Sequence, residues 1–434
     1  MIGCGSSQID ARAKGVERPA YDPMAAQKDV ANNEGRVQRD PAGAIGWSQL
    51  SSSYLTLSRQ TDDNALAIKA EEAARKSLYL RRKNNSNGAL RLAKAILEQH
   101  RFSEALAATE DAEKIDPMDI SAHELHAEIL VELGCYDDAW KEIHKYDLTT
   151  STGLSGVTLA AKLEEIEGHP DRAEVLLKHA CLQADDSWDM SRDSVAWFHQ
   201  KYGLVLFDEG KNDEALSEFQ TAVSINPRDF KSMGAIAKIY AASGRLDEAK
   251  EWAGKSIAVV PSVEVASLML DLAAKEGDQN AELYETMVDK ISHPDLYNFL
   301  KDPSKVPSTK PHTHDRLYAV FCADHKKNLP DALIAAKKDM EARKDIYAYD
   351  TAAWVLHQMG RDAEAKTYMT KVLSRGTLDA KLYYHAGMID SSLGKSELAR
   401  KELSKCLRIN PNFQFEQQDV AKAELAKLGG PVQP

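Results

Sequence analysis

The stretch Gly210–Asp229, GKNDEALSEFQTAVSINPRD, sets a glycine, an alanine five residues on and a proline twelve beyond that inside an otherwise helical pattern. Around it, Tyr202 and Leu206, then Leu216, Phe219 and Val223, recur at three- and four-residue spacings, which is the helix period and not the strand period. Gly210 interrupts this run, and a glycine there lets one helix end through a left-handed residue. Asn212, Asp213 and Glu214 supply an N-cap and first-turn acids for a second helix, and Pro227 closes the pair because proline cannot continue a helix.

The same punctuation recurs along the chain. Ala215 has counterparts at Ala105, Ala139, Ala173, Ala249, Ala332, Ala365 and Ala399, with most neighbouring gaps 33 or 34 residues, the period of a helical repeat array. Twelve residues before each stands a small or slim side chain: Ala93, Ala127, Ala161, Gly203, Ala237, Val320, Ala353 and Gly387. Small residues at paired positions imply helices packed closely together.

This grammar resembles the tetratricopeptide repeat family, carried by Gly203, Gly210, Ala215, Phe219, Ala222 and Pro227, then Ala237, Tyr240, Gly244, Ala249 and Pro261, and later by Ala353, Leu356, Gly360 and Ala365, then Gly387, Gly394, Ala399 and Pro411. The expected fold is all-α, a right-handed superhelical array, or α-solenoid, of about ten helix-turn-helix repeats. A single pair cannot bury its own apolar face, whereas stacked pairs bury a continuous one. The expected division is a disordered tether over 1–45, a front array over 46–296, a Pro-rich connector over 297–311 and a back array over 312–434 that ends in a capping helix. The long gap between Ala173 and Ala215 predicts an inter-repeat loop at LQADDSWDMSRDS.

Composition narrows the functions. Of 434 residues, 43% are hydrophobic and 28% charged, and 67 acids against 55 bases give a net charge of -12, which argues against a nucleic-acid partner. The five cysteines are scattered without a C-x-x-C pair, and no apolar run is long enough to span a membrane. His123 and His126 lie three apart on one helix face, a metal pair with no carboxylate assigned to it, and His312, His314 and His325 read as solvated loop residues. No catalytic residue, metal site or cofactor is expected.

The resemblance implies instead a concave groove for a protein or peptide. The first-helix residues placed on it are Lys94, Glu128, Lys162, Trp197, Leu204, Phe207, Lys238, Tyr347, Trp354, His357, Tyr384 and Met388. Trp197, Phe207, Trp354 and Tyr384 are the expected anchors, since aromatic side chains dominate interface energetics. The opening MIGCGSSQ resembles the end of a bacterial lipobox, with Cys4 as the lipidated residue. The expectation is a non-enzymatic scaffold held at a bacterial envelope by a lipid anchor at Cys4; the alternative is a cytoplasmic accessory or regulatory subunit of an enzyme complex.

Overall fold

A computed structural model describes residues 18, 20–150, 154–293 and 315–432. Among them are α-helices and one 3-10 turn and no strand. Ten antiparallel pairs follow one another: α2 Ala44–Thr61 with α3 Asn64–Leu80, α4 Ser86–Leu97 with α5 Phe102–Ile115, α6 Ile120–Glu132 with α7 Tyr136–Lys145, and α8 Ser155–Ile166 with α9 Pro170–Asp186. Then come α10 Arg192–Asp208 with α11 Asn212–Ile225, α12 Phe230–Ala242 with α13 Leu246–Val259, and α14 Val263–Glu276 with α15 Ala281–Ser292. The last pairs are α16 Asp315–Asp324 with α17 Leu329–Ala342, α18 Ile346–Gln358 with α19 Asp362–Val372, and α20 Ala380–Ser392 with α21 Ser396–Ile409. One helix precedes them, α1 Ala25–Arg39, and one follows, α22 Gln417–Lys427. The array is an α-solenoid.

Local chemistry explains the pairing. Gly210 has φ +77°, its N–H donates to Phe207 O at 2.9 Å, and the Lys211 N–H donates to Leu206 O at 2.8 Å, so the orphan carbonyls at the end of α10 are satisfied within the turn. Lys211, rather than Asn212, occupies the N-cap of α11 and makes no side-chain cap bond; Asp213 and Glu214 serve as first-turn acids. Side-chain caps appear mainly on first helices, where Asp119, Ser191, Asp229, Asp345 and Asp379 each accept from a first-turn N–H. The small positions are demanded by packing. A Cβ on Gly203 would lie 2.8 Å from Phe219 Cε1, and one on Gly387 would lie 2.6 Å from Leu403 Cγ.

Three expectations need correction. The segment expected as a tether contains α1, which buries Ala26, Val30 and Val37, while Tyr54 Oη donates to Glu34 at 2.6 Å. Only three of its side chains are buried, too few to stand out in so polar a stretch. The segment LQADDSWDMSRDS is mostly helical: α9 and α10 lengthen to 17 residues each and absorb most of the excess. In the α16–α17 pair the fully buried small residue is Ala319, one position before the expected one, and Val320 is only partly buried.

The front and back arrays are not separate bodies. One hydrophobic core holds Ala127, Leu130, Ile143 and Leu163 together with Ile346, Trp354, Leu382 and Tyr384. The connector over 297–311 and its histidines His312 and His314 lie outside the described residues. Across the junction the contacts keep step. The edge of the early repeats at Gly134, Gly168, Gly210 and Ala242 meets the edge of the late ones at Lys344, Gly376, Ile409 and Gln418. The solenoid therefore winds back along itself, with successive coils touching edge to edge.

Candidate functional site

The inner wall is built by first helices, and the residue following each small packing position faces inward. This leaves Lys94 half-buried and Glu128, Leu204 and Lys238 exposed along the wall. Burial followed by the neighbouring Arg91 and Arg59 guanidiniums pushes the Lys94 ammonium below its ordinary range. Lys162 lies 3.3 Å from Tyr347 Oη and 3.5 Å from Glu165 Oε2, with its Nζ 5.1 Å from the Tyr347 ring centre, so the tyrosine from the late coil caps the lysine from the early one. Trp197 is 40% exposed and has Lys201 Nζ 5.4 Å from its ring. Leu204 lies about two helical turns beyond Trp197 on the same face, at 38% exposed.

Two expected anchors stand elsewhere. Trp354 and Tyr384 are each 3% exposed and belong to the core. The Trp354 ring stacks on His385 at 4.0 Å and tilts against Tyr384 at 5.5 Å, and its Nε1 donates to Asp324 Oδ1 at 2.7 Å. Tyr384 packs in turn on Phe413 at 5.4 Å. These rings hold the back array together, and a partner cannot reach them while the adjacent repeats stay stacked. Met388 is half-buried against the same core, and His357 is half-buried beside Trp354 at 5.1 Å, with burial depressing its pKa. Repeat register specifies which first-helix positions face inward but not how far the neighbouring repeats cover them, so these four residues read as open groove.

Where the coils meet, a cavity of about 270 Å³ opens. Phe207, Leu268, Phe321, Phe413 and Phe415 form its apolar lining, and Asp208, Lys238, Asp271, Asp324, Asp379 and Lys381 supply charge. Burial, then Asp379 and Glu165, hold the Asp208 carboxyl well above the usual carboxylate range; burial and then Asp350 push up Asp379, which also caps α20. His325, expected in a solvated loop, is half-buried here. Its Nε2 is 2.8 Å from Asp271 Oδ1 and its Nδ1 is 2.8 Å from Phe321 O, so α14 and α16 are tied through the ring. Of the cavity residues, only Phe207 and Lys238 were legible beforehand. Asp208, Asp379, Phe321, Phe413 and Phe415 come together through coil closure, for which a local pattern carries no signal.

Histidine pairs have acidic partners too. His123 Nδ1 is 2.9 Å from Glu142 Oε1, and His126 Nδ1 is 2.7 Å from Glu113 Oε1. The partner carboxylates come from the neighbouring second helices, α5 and α7. Cys4 lies outside the described residues. No helix among the described residues is long and apolar enough to cross a membrane.

Comparison with known proteins agrees on the repeat. Tetratricopeptide repeat profiles match residues 206–276, and residues 346–375 and 380–413. A comparison with curated proteins gave no match. Similar solved structures include a monomeric IFIT1 mutant with Gppp-AAAA, at 15% identity and TM-score 0.49 over 80% of this chain and 76% of that one. Pseudomonas aeruginosa pilF matches at 15% identity and TM-score 0.37, over 50% of this chain and 96% of its own. YrrB, described as a TPR protein with an unusual peptide-binding site, matches at 19% identity and TM-score 0.30, over 48% of this chain and 99% of its own.

Proposed function

We propose that this chain, which carries tetratricopeptide repeats, is a non-enzymatic scaffold that binds an extended segment of a partner protein along its inner wall. The observation that carries this reading is the exposed Trp197 and Leu204, flanked by Lys201 and Lys238, leading toward a cavity walled by phenylalanines. An exposed tryptophan beside a leucine on a wall otherwise made of charged side chains is the composition of an interface core with a polar rim. Main-chain polar groups of a bound segment would meet Lys162, Lys201 and Lys238, and its apolar side chains would meet the rings. The test is capture of partners on the purified chain, followed by the Trp197→Ala/Leu204→Ala double variant. Loss of the captured partner with unchanged helicity supports the wall as the site, and full retention refutes it.

We propose further that the scaffold works at a bacterial cell envelope, attached through Cys4; the Gly-Cys-Gly-Ser-Ser run supports this reading. Fatty-acid labelling in cells that is abolished by Cys4→Ala is the expected outcome. Absence of label in the unsubstituted chain favours the cytoplasmic accessory-subunit alternative.

A further inference from the structure

We propose that Cys181, His199 and Glu218 form a binding site for a borderline-soft divalent cation of the zinc class, with Asp185 as its supporting carboxylate. Three successive helices bring them together: α9 contributes Cys181 and Asp185 one turn apart, α10 contributes His199, and α11 contributes Glu218. One ligand atom from each of Cys181, His199 and Glu218 lies within 4.8 Å of the others. All three residues are buried, at 4%, 2% and 5% exposed.

The chemistry of the set is specific. Thiolate, imidazole and carboxylate together suit zinc-like ions, whereas magnesium and calcium prefer oxygen alone. His199 Nδ1 faces Glu218 Oε2 at 2.7 Å, and its Nε2 faces Asp185 Oδ1 at 3.2 Å. With Nδ1 on the cation, the Nε2 proton is donated to Asp185, which is the carboxylate–histidine–metal arrangement that fixes a ligand's tautomer and orientation. A cation bound here would displace the thiol proton, so its affinity should rise with pH.

The repeat itself shows that these positions are a choice. Cys181 stands eight residues after Ala173, His199 four before Gly203 and Glu218 three after Ala215. The same three positions at the next junction hold Val223, Met233 and Trp252, so the solenoid packs there with apolar side chains. At an earlier junction they hold Glu113, His123 and Glu142, which also converge within 4.8 Å. That triad lacks sulfur, and so it provides the internal comparison.

The experiment uses the full chain, stripped with a chelator and titrated with Co2+. A saturable near-ultraviolet thiolate-to-cobalt charge-transfer band at one equivalent, displaced by Zn2+, is expected. Cys181→Ser should abolish it with the helical circular dichroism retained, while Cys322→Ser and His123→Gln should keep it. Asp185→Asn should weaken cobalt binding about tenfold or more, and this variant decides the matter if Cys181→Ser fails to fold. No band in the unsubstituted chain, a band that survives Cys181→Ser, or unchanged affinity in Asp185→Asn overturns the site.

Discussion

The side-chain amide of Asn410 donates to the carbonyl oxygen of Phe207 at 2.7 Å, across 203 residues of sequence. Asn410 is 1% exposed, and it sits where the last repeat hands over to α22. The bond closes one coil of the solenoid on the next. Arg343 Nη1 to Glu132 Oε2 at 2.8 Å and the Ile346 N–H to Tyr136 Oη at 3.0 Å do the same two repeats earlier. Closure is thus a row of contacts spaced by one repeat, and its strength can be measured one rung at a time.

Gly210 and Gly244 separate turn strain from coil contact. Both have positive φ, +77° and +79°, so alanine at either costs about 1–2 kcal/mol of left-handed backbone strain. A Cβ on Gly210 would also lie 2.5 Å from Ile409 O, whereas one on Gly244 meets nothing within 4 Å. Gly210→Ala should therefore be more destabilising than Gly244→Ala in chemical denaturation, by about 1 kcal/mol or more. Equal effects would mean that the coils do not touch in solution.

Asp208 should oppose closure at neutral pH. Its carboxyl titrates well above the ordinary value of 3.8, through burial first and then Asp379 and Glu165, so the folded state holds its proton more tightly than the unfolded state. Stability from this group is complete below about pH 3.8 and is lost as pH rises toward the folded value. Asp208→Asn keeps the shape and removes the charge, and it should stabilise the chain by about 1 kcal/mol or more at pH 7. The gain should shrink on acidification, when the native side chain is itself neutral. Thermal denaturation at two pH values checks this, and a gain that is the same at both contradicts it.

His325 works through the opposite charge type and the same direction of pH. Burial alone would lower its pKa, but the hydrogen bond and charge of Asp271, the Phe321 carbonyl and the charge of Asp324 together outweigh it and raise the pKa, so the folded state favours the imidazolium. That stability is fully present below the ordinary value of 6.5 and is lost as pH rises through the raised one. His325→Gln should leave the fold intact and abolish this part of the pH dependence. Hydrogen exchange in α14 and α16 should then be faster than in the parent chain at pH 6 and alike at high pH. A variant with the parent's pH profile would show that the tie contributes nothing.

How far the sequence reached can be argued from particular residues. The pair grammar was legible because it is local: Gly210, Ala215 and Pro227 each act within a few residues of themselves, and ten pairs with a final helix follow. Helix α1 was not legible, because its three buried positions are separated by polar ones and its partner surface belongs to α2. Coil closure was not legible at all. It depends on the rotation between successive repeats summed over several of them, and a small change at each step moves Tyr347 toward or away from Lys162. Trp354 and Tyr384 do lie on first helices, α18 and α20, but they are buried by residues such as Asp324, His385 and Phe413, which the adjacent late repeats supply.

Trp197 and Trp354 then make opposite predictions from the same residue type. Trp354 is buried, stacks on His385 and donates to Asp324, so Trp354→Ala should cost about 3–5 kcal/mol through cavity formation and should expose the orphaned Asp324. Trp197 is 40% exposed, and its alanine variant should melt within a degree or two of the parent because little packing is lost. If the inner wall is the partner site, Trp197→Ala should instead weaken binding by about 2 kcal/mol or more, read as a roughly thirtyfold rise in Kd. The two measurements are independent, since one reads stability and the other affinity. Normal binding by folded Trp197→Ala would move the site off this stretch of wall and into the cavity, where Lys238 and Phe207 become the residues to substitute next. A Trp354→Ala chain that melts like the parent would show that the late coil is not packed as described.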